Sequence, residues 1–65
     1  MKIKYFQDTD TLYIEFRSGG IFDTKDLDEN TQLDVDAQGR ICALTIERAR
    51  GRADLRHFSF EQVGP

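Results

Sequence analysis

The sequence predicts a small α+β domain, an antiparallel β-sheet meander of four or five strands followed by a short C-terminal helical segment. Three observations predict this fold. Apolar and polar residues alternate in several short segments up to residue 46, as they do in half-buried strands. Polar segments rich in Gly, Asp or Asn separate these strands at hairpin spacing. After residue 46 the alternation stops, and Ala, Arg and Glu, which favour helix, become frequent.

The first two strands carry the clearest alternation. Residues 2–6 and 11–17 are separated by the polar stretch 7–10, in which Asp side chains can bond to the backbone of a tight turn. The two strands place the following apolar side chains at alternate positions: Ile3, Tyr5, Leu12, Ile14 and Phe16. We therefore expect a β-hairpin whose apolar face is the start of the core.

A second hairpin is expected at Ser18-Gly19-Gly20, because paired glycines accept the positive φ angles of a tight reversal. This hairpin would pair the strand at 11–17 with residues 21–27. The later segment carries closely spaced charges, which favour an edge strand because charges there discourage pairing with other chains.

The third hairpin joins residues 32–36 to residues 40–46. The connecting loop Ala37-Gln38-Gly39 is short enough to force antiparallel pairing, and its glycine occupies the left-handed position of a bulged turn. Across this hairpin, Leu33 and Val35 should share a face with two or three of the apolar residues Cys42, Leu44 and Ile46. The intervening Asp34 and Asp36 are expected to point to water.

The C-terminal segment, residues 47–65, leaves its structure open. A helix at 47–56 would have to be short, because Gly51 costs about 1 kcal/mol relative to alanine inside a helix. Residues 57–61 alternate like a strand, yet Leu55 and Phe58 are spaced for one helical face, so residues 47–63 are compatible with helix, strand or both. The whole chain, 1–65, is short enough to predict a single domain, with a sheet at 1–46 and an Arg-rich, aromatic segment at 47–65.

Composition excludes several classes of protein. With 65 residues, a two-domain enzyme is excluded, and one cysteine excludes a disulfide framework. No stretch approaches the roughly 18 apolar residues of a membrane span, so we expect a cytoplasmic protein with no membrane partner. Residues 1–46 hold nine acids against five bases, whereas residues 47–65 hold four bases against three acids. The net charge of −3 therefore hides a slightly basic C-terminal segment.

Five short segments together resemble a known family. They are Ile3-Lys4-Tyr5, Asp10-Thr11-Leu12-Tyr13-Ile14, Asp34-Val35-Asp36, Gly39-Arg40-Ile41 and Leu44-Thr45-Ile46. In this combination residues 1–46 resemble the YuzE-like family, small bacterial domains of unknown function built on an antiparallel sheet. Members of that family often have acidic residues where Gln38 and Thr45 stand here. The resemblance implies a compact sheet with a helical appendage, pairing in a dimer, and an antitoxin-like or similar protein-binding role. It supplies no catalytic residues.

Two constellations that resemble chemical sites are better explained structurally. Asp34, Asp36 and Gly39 imitate the first half of a calcium loop, but Thr45 stands where a closing acid is required and the flanks alternate like strands rather than helices. Cys42 and His57 would be a nucleophile and base, but no motif surrounds either residue and Cys42 lies in an apolar strand. We therefore predict no enzyme, no catalytic residue, no cofactor and no metal.

One group of residues rises above this background as a candidate partner-binding surface. Its members are Arg48, Arg50, Arg52, Arg56, Phe58 and Phe60. Arginines bind phosphates in bidentate fashion and aromatic rings stack on bases, but the same arginines could instead pair with acids of the sheet, within the chain or across a dimer. The predicted function is a non-enzymatic protein-protein interaction module that forms a homodimer and has a possible small basic protein partner. The alternative is a nucleic-acid-binding accessory protein that uses the Arg-rich segment 48–56.

Overall fold

The computed structural model describes residues 1–65 and contains one antiparallel sheet. Its strands are β1 (Lys2–Phe6), β2 (Thr11–Glu15), β3 (Asp23–Asp28), β4 (Thr31–Val35) and β5 (Ile41–Glu47), and a 3₁₀ turn follows at Ala49–Gly51. The strands lie in the order β1-β2-β5-β4-β3, and every neighbouring pair is antiparallel. The predicted antiparallel sheet is thus confirmed, with five strands. The first and third hairpins are also confirmed.

The predicted second hairpin, and with it the simple meander, is wrong. β2 pairs with β5, and residues 16–22 carry the chain past β5 and β4 to the far edge of the sheet. Three backbone hydrogen bonds tie this connection to the sheet. The N–H groups of Phe16 and Arg17 donate to the Cys42 carbonyl at 2.8 and 3.3 Å, and the Phe22 N–H donates to the Val35 carbonyl at 2.9 Å. The order has a physical reason. β5 is the most apolar strand, and in the middle of the sheet it has a neighbouring strand along each edge. The charged β3 takes the edge, as predicted, with all six residues exposed.

Two rows of side chains cross the apolar face of the sheet. The register places Ile3 beside Ile14, then Leu44 and then Leu33; the next row places Tyr5 beside Leu12, then Ile46 and then Thr31. The predicted common face of the third hairpin is therefore confirmed by the Leu33–Leu44 pair. Few residues are deeply buried, however, and no large side chain is fully enclosed.

The turn between β4 and β5 is held by Asp36, whose side chain is only 12% exposed. Its carboxylate accepts backbone N–H groups from Gln38 and Arg40, both at 2.9 Å, and the Arg40 Nε at 2.8 Å. The expectation that Asp36 points to water is wrong, because the turn needs its oxygens to satisfy these donors. Asp34 is also partly buried and accepts a hydrogen bond from the Thr24 hydroxyl of β3 at 2.7 Å.

Beyond Glu47, where β5 ends, the C-terminal segment contains neither an α-helix nor a strand. Apart from the three residues of the 3₁₀ turn, residues 48–65 have no regular secondary structure, so the chain is mostly β and the α+β label fits it only loosely. Arg48, which separates β5 from the 3₁₀ turn, adopts a left-handed conformation with φ 54°. Only Ala49 of this segment is fully buried. A helix there would lack the apolar face that stabilises helices in proteins.

Candidate partner-binding surface

Asp10 holds the start of the C-terminal segment against the sheet. Its carbonyl accepts the Ala49 N–H at 3.0 Å, and its Oδ1 accepts both the Arg50 N–H at 3.0 Å and the Tyr5 hydroxyl at 2.6 Å. The Tyr5 hydrogen bond lowers the pKa of the Asp10 carboxyl and raises the pKa of the Tyr5 phenol. Asp10 itself has φ 54°, a conformation that Asp tolerates better than most residues. The β1–β2 turn and the 3₁₀ turn are therefore joined at one carboxylate.

Arg52 fixes the same segment to the other half of the sheet. Its Nη1 donates to the Thr31 hydroxyl at 2.7 Å and to the Asn30 carbonyl at 3.3 Å, and its Nη2 lies 3.2 Å from Asp28 Oδ2. The Asn30 backbone N–H is the main cause of the lowered pKa of the Asp28 carboxyl, with a smaller contribution from Arg52. Of the four arginines predicted to contact a partner, this one is engaged within the chain.

After Arg52 the segment crosses the apolar face over β1 and β2. A cavity of about 310 Å³ lies between the two layers, lined by sheet residues and by side chains of the segment such as Leu55 and Phe58. The sheet side of this cavity consists of Ile3, Tyr5, Leu12 and Ile14. The segment thus serves as a partial second layer for a sheet that would otherwise have none on this side.

An aromatic patch forms where this segment reaches the start of β1. Met1, Ile3, Phe58 and Phe60, which we call the aromatic patch, line a depression of about 630 Å³ that contains no polar residue. Phe58 and Phe60 are 70% and 72% exposed, and Ile3 is 40% exposed although it belongs to a strand. Both aromatic residues of the predicted site therefore lie together, and they gain two neighbours that the sequence did not identify. Contiguous exposed apolar side chains of this kind mark interaction surfaces.

A second depression, which we call the arginine cleft, is formed by the basic part of the segment. Arg50 and Arg56 line it together with Tyr5, Gln7 and Leu55, and its volume is about 320 Å³. Neither arginine has a carboxylate oxygen within ion-pair distance, and Arg48 has none either. The four arginines are therefore divided between one that clamps the fold and three whose guanidinium groups have no ion-pair partner.

Cys42 and His57 line different cavities and have different partners. Cys42 is buried, and its thiol donates to the Arg40 carbonyl at 3.7 Å. The His57 ring is 73% exposed and lies 3.8 Å from an oxygen of Asp54. Nor does any group of three metal-ligating side chains come together in the chain. No helix has the length and apolarity needed to cross a membrane.

One model of a known protein family matches most of this chain. The model of a family described as protein of unknown function (DUF2283) matches residues 2–50, more than half of the chain. The chain belongs to this family. Membership in DUF2283 confirms the expectation of an uncharacterised family of small domains. The DUF2283 match includes all five strands and ends within the 3₁₀ turn, so Phe58 and Phe60 lie beyond it. No curated protein and no solved structure matches the chain significantly.

Sequence reasoning missed the sheet's contribution to both depressions. The alternation of Ile3 and Tyr5 with lysines predicts that both belong to the core, but the edge strand β1 leaves part of each side chain accessible. The charge asymmetry between sheet and segment was a usable signal for Arg52, since it indicated that an arginine of the segment would meet an acid of the sheet. No local pattern identifies Asp28 as that acid, because the contact spans 24 residues.

Proposed function

We propose that this domain is a non-enzymatic protein-interaction module that forms a homodimer through the aromatic patch. The exposure of four apolar side chains around one depression carries the proposal. In a two-fold symmetric dimer the same patch lies on both subunits, so an apolar surface can be its own complement. Phe is also among the residues enriched at the cores of such interfaces.

The accessible surface of the isolated chain supports a second copy as the occupant. A folded monomer of this mass exposes about 4,200 Å² on average, whereas this chain exposes 5352 Å². The excess of about 1,100 Å² is comparable to the 800 Å² or so that each partner buries in a standard interface. The radius of gyration is 13.0 Å, against about 11 Å for a compact chain of this length. The molecule is a slab of 39 × 33 × 18 Å, which leaves much of both sheet faces accessible.

The test is the molar mass in solution, measured by sedimentation equilibrium over a wide range of protein concentration. We expect a dimer for the natural sequence and a monomer for the double variant Phe58→Ser, Phe60→Ser. Because both side chains are mostly exposed in the isolated chain, the variant should keep its far-ultraviolet circular dichroism spectrum. Salt should change the association little, since apolar burial drives it.

Phe22→Ser provides the matched control. Phe22 is 74% exposed but lies in the β2–β3 connection, outside the aromatic patch, and its replacement should leave the dimer intact. A natural sequence that stays monomeric at every concentration contradicts the proposal. So does dissociation of the dimer by Phe22→Ser together with survival of the dimer in the double variant.

The unpaired arginines favour a second candidate, a nucleic-acid-binding accessory protein. Arg48, Arg50 and Arg56 have no ion-pair partner, and three phosphate contacts give a slope of about −2.7 in a plot of log affinity against log salt on duplex DNA. Retention on DNA with such a slope, lost on replacing Arg48, Arg50 and Arg56 by alanine, would favour this function. The net charge of −3 opposes it, which is why it ranks second.

Other expectations stay predictions. They are the single-domain organisation, the cytoplasmic location, the absence of enzymatic activity, the narrower YuzE-like assignment and the antitoxin-like role. A small basic protein partner is compatible with the acidic edge strand β3, which offers it exposed carboxylates.

A further inference from the structure

We propose that the arginine cleft binds a phosphate monoester, with the two guanidinium groups on the phosphate and the apolar wall against the group that carries it. The proposal goes beyond dimerisation and does not depend on it, because Phe58 and Phe60 do not line this cleft. It rests on two observations. Two arginines line the same depression, and no carboxylate oxygen lies within ion-pair distance of either guanidinium group.

The guanidinium groups of both arginines lack a carboxylate partner, and that of Arg50 interacts with the Tyr5 hydroxyl at the wall of the cleft. A guanidinium group normally forms an ion pair when a carboxylate is near, as Arg52 does with Asp28 and Arg40 does with Asp36. Arg50 and Arg56 line one depression without such a partner. Two positive charges that line one depression repel each other, and an anion placed between them removes that repulsion.

The neighbouring acids are occupied elsewhere. Asp10 accepts the Tyr5 hydroxyl and the Arg50 backbone N–H through the same oxygen, so its charge offsets part of the positive charge of Arg50 without pairing with its guanidinium. Asp54 accepts the Arg56 backbone N–H at 3.2 Å and lies beside His57. The Arg50 backbone is also fixed at its amide, which limits the conformational entropy that ligand binding would cost.

Charge and shape select the ligand class. A phosphate monoester carries between about −1.5 and −2 at pH 7, which matches two guanidinium groups better than a single carboxylate does. Arginine is suited to it because its planar fork donates two parallel hydrogen bonds to phosphate oxygens. Leu55 and the Tyr5 ring supply an apolar wall, so an ester with an aromatic or apolar group should bind better than inorganic phosphate.

The experiment is a titration of the full chain with phenyl phosphate, followed by amide chemical shifts in NMR at constant ionic strength. We expect saturable binding with shifts concentrated at residues 5–7, 50 and 55–56. Arg50→Gln and Arg56→Gln should each weaken it about tenfold, because each removes a charge-assisted hydrogen bond. Leu55→Ser should remove the preference for phenyl phosphate over inorganic phosphate while the phosphate affinity is kept.

Arg48→Gln is the matched control, since Arg48 is an exposed arginine of the same segment that does not line the cleft. It should leave the affinity for phenyl phosphate within twofold of that of the natural sequence. Equal losses in all three arginine variants would show that only the overall charge attracts the anion and would overturn the proposal. Absence of saturable binding, or binding that survives Arg50→Gln and Arg56→Gln, would overturn it as well. A 5′-phosphorylated oligonucleotide that binds no better than its unphosphorylated form would also contradict recognition of the monoester.

Discussion

Replacing Arg52 by methionine tests whether this arginine is part of the fold rather than part of a binding surface. Its guanidinium group joins the C-terminal segment to the start of β4 through the Thr31 hydroxyl, the Asn30 carbonyl and the Asp28 carboxylate. Methionine keeps most of the aliphatic length of arginine and removes all of these donors. The substitution therefore deletes the clamp with little change in apolar contact.

The cost is dominated by Thr31. Thr31 is only 6% exposed, and the substitution removes the Arg52 Nη1 donor that lies 2.7 Å from its hydroxyl. The Thr31 side chain keeps its hydrogen bond to Asp28, so the loss is that of one hydrogen bond to a charged donor, about 1.5–3 kcal/mol. The contact of Arg52 with Asp28 adds little, because both side chains are well exposed and water screens their attraction. For a domain of this size each kcal/mol lowers Tm by about 4–8 °C.

The assay is thermal unfolding followed by circular dichroism, at one protein concentration for all variants. Arg48→Met is the control, because Arg48 lies four residues earlier in the same segment and its side chain makes no hydrogen bond or ion pair. We expect Arg52→Met to lower Tm clearly and Arg48→Met to leave it unchanged. If Arg52→Met unfolds at the temperature of the natural sequence, the clamp does not stabilise the fold and Arg52 is available to a partner after all.

Three further predictions follow from local geometry. Hydrogen bonds lower the pKa of three carboxyls: Asp10, Asp28 and Asp36. A lowered pKa in the folded state adds stability that is complete above the unfolded pKa, near 4, and is lost as the pH falls through the folded pKa. The urea concentration at the unfolding midpoint should therefore stay constant from pH 5 to 7 and should decrease once the pH is below about 4. Ala49→Leu should lower the free energy of unfolding by about 1–3 kcal/mol in urea titrations, because Ala49 is completely buried. Gly39→Val should cost about 1–2 kcal/mol by the same measurement, because φ is +81° there, whereas Gly20→Val, at ordinary φ, should cost much less.

The sequence predicts the strands better than their order. Alternation identifies most strands because it depends only on neighbours two residues apart, and the closely spaced charges of β3 predict its place at an edge. The order of strands depends on which pairs bury most apolar surface across the whole sheet. Ser18-Gly19-Gly20 is a local turn signal that predicts a hairpin between β2 and the next strand. Such a signal carries no information about β5, more than twenty residues later, which pairs with β2 instead.

The candidate site was predictable in composition but not in geometry. Arg50, Arg56, Phe58 and Phe60 all lie at depressions, as the concentration of arginine and aromatic residues indicated. Local sequence does not predict that the arginines and the aromatic side chains form two separate depressions. They are separate because the segment runs along β1, with Arg56 beside Tyr5 and Phe58 beside Ile3. The separation depends on how the segment crosses the sheet, and that path is set by anchors at Asp10 and Thr31 that are distant in sequence.

The C-terminal segment links folding to association because the same side chains serve both. Phe58 and Ile3 line the cavity between segment and sheet and also line the aromatic patch, so each contributes to the interior and to the open surface. A second copy seated on the patch would therefore press the segment onto β1 and β2 as well as bury exposed rings. A chain of 65 residues has too little core to enclose a five-stranded sheet by itself. In the proposed dimer, association through the segment adds a layer over the part of the sheet that the segment leaves exposed.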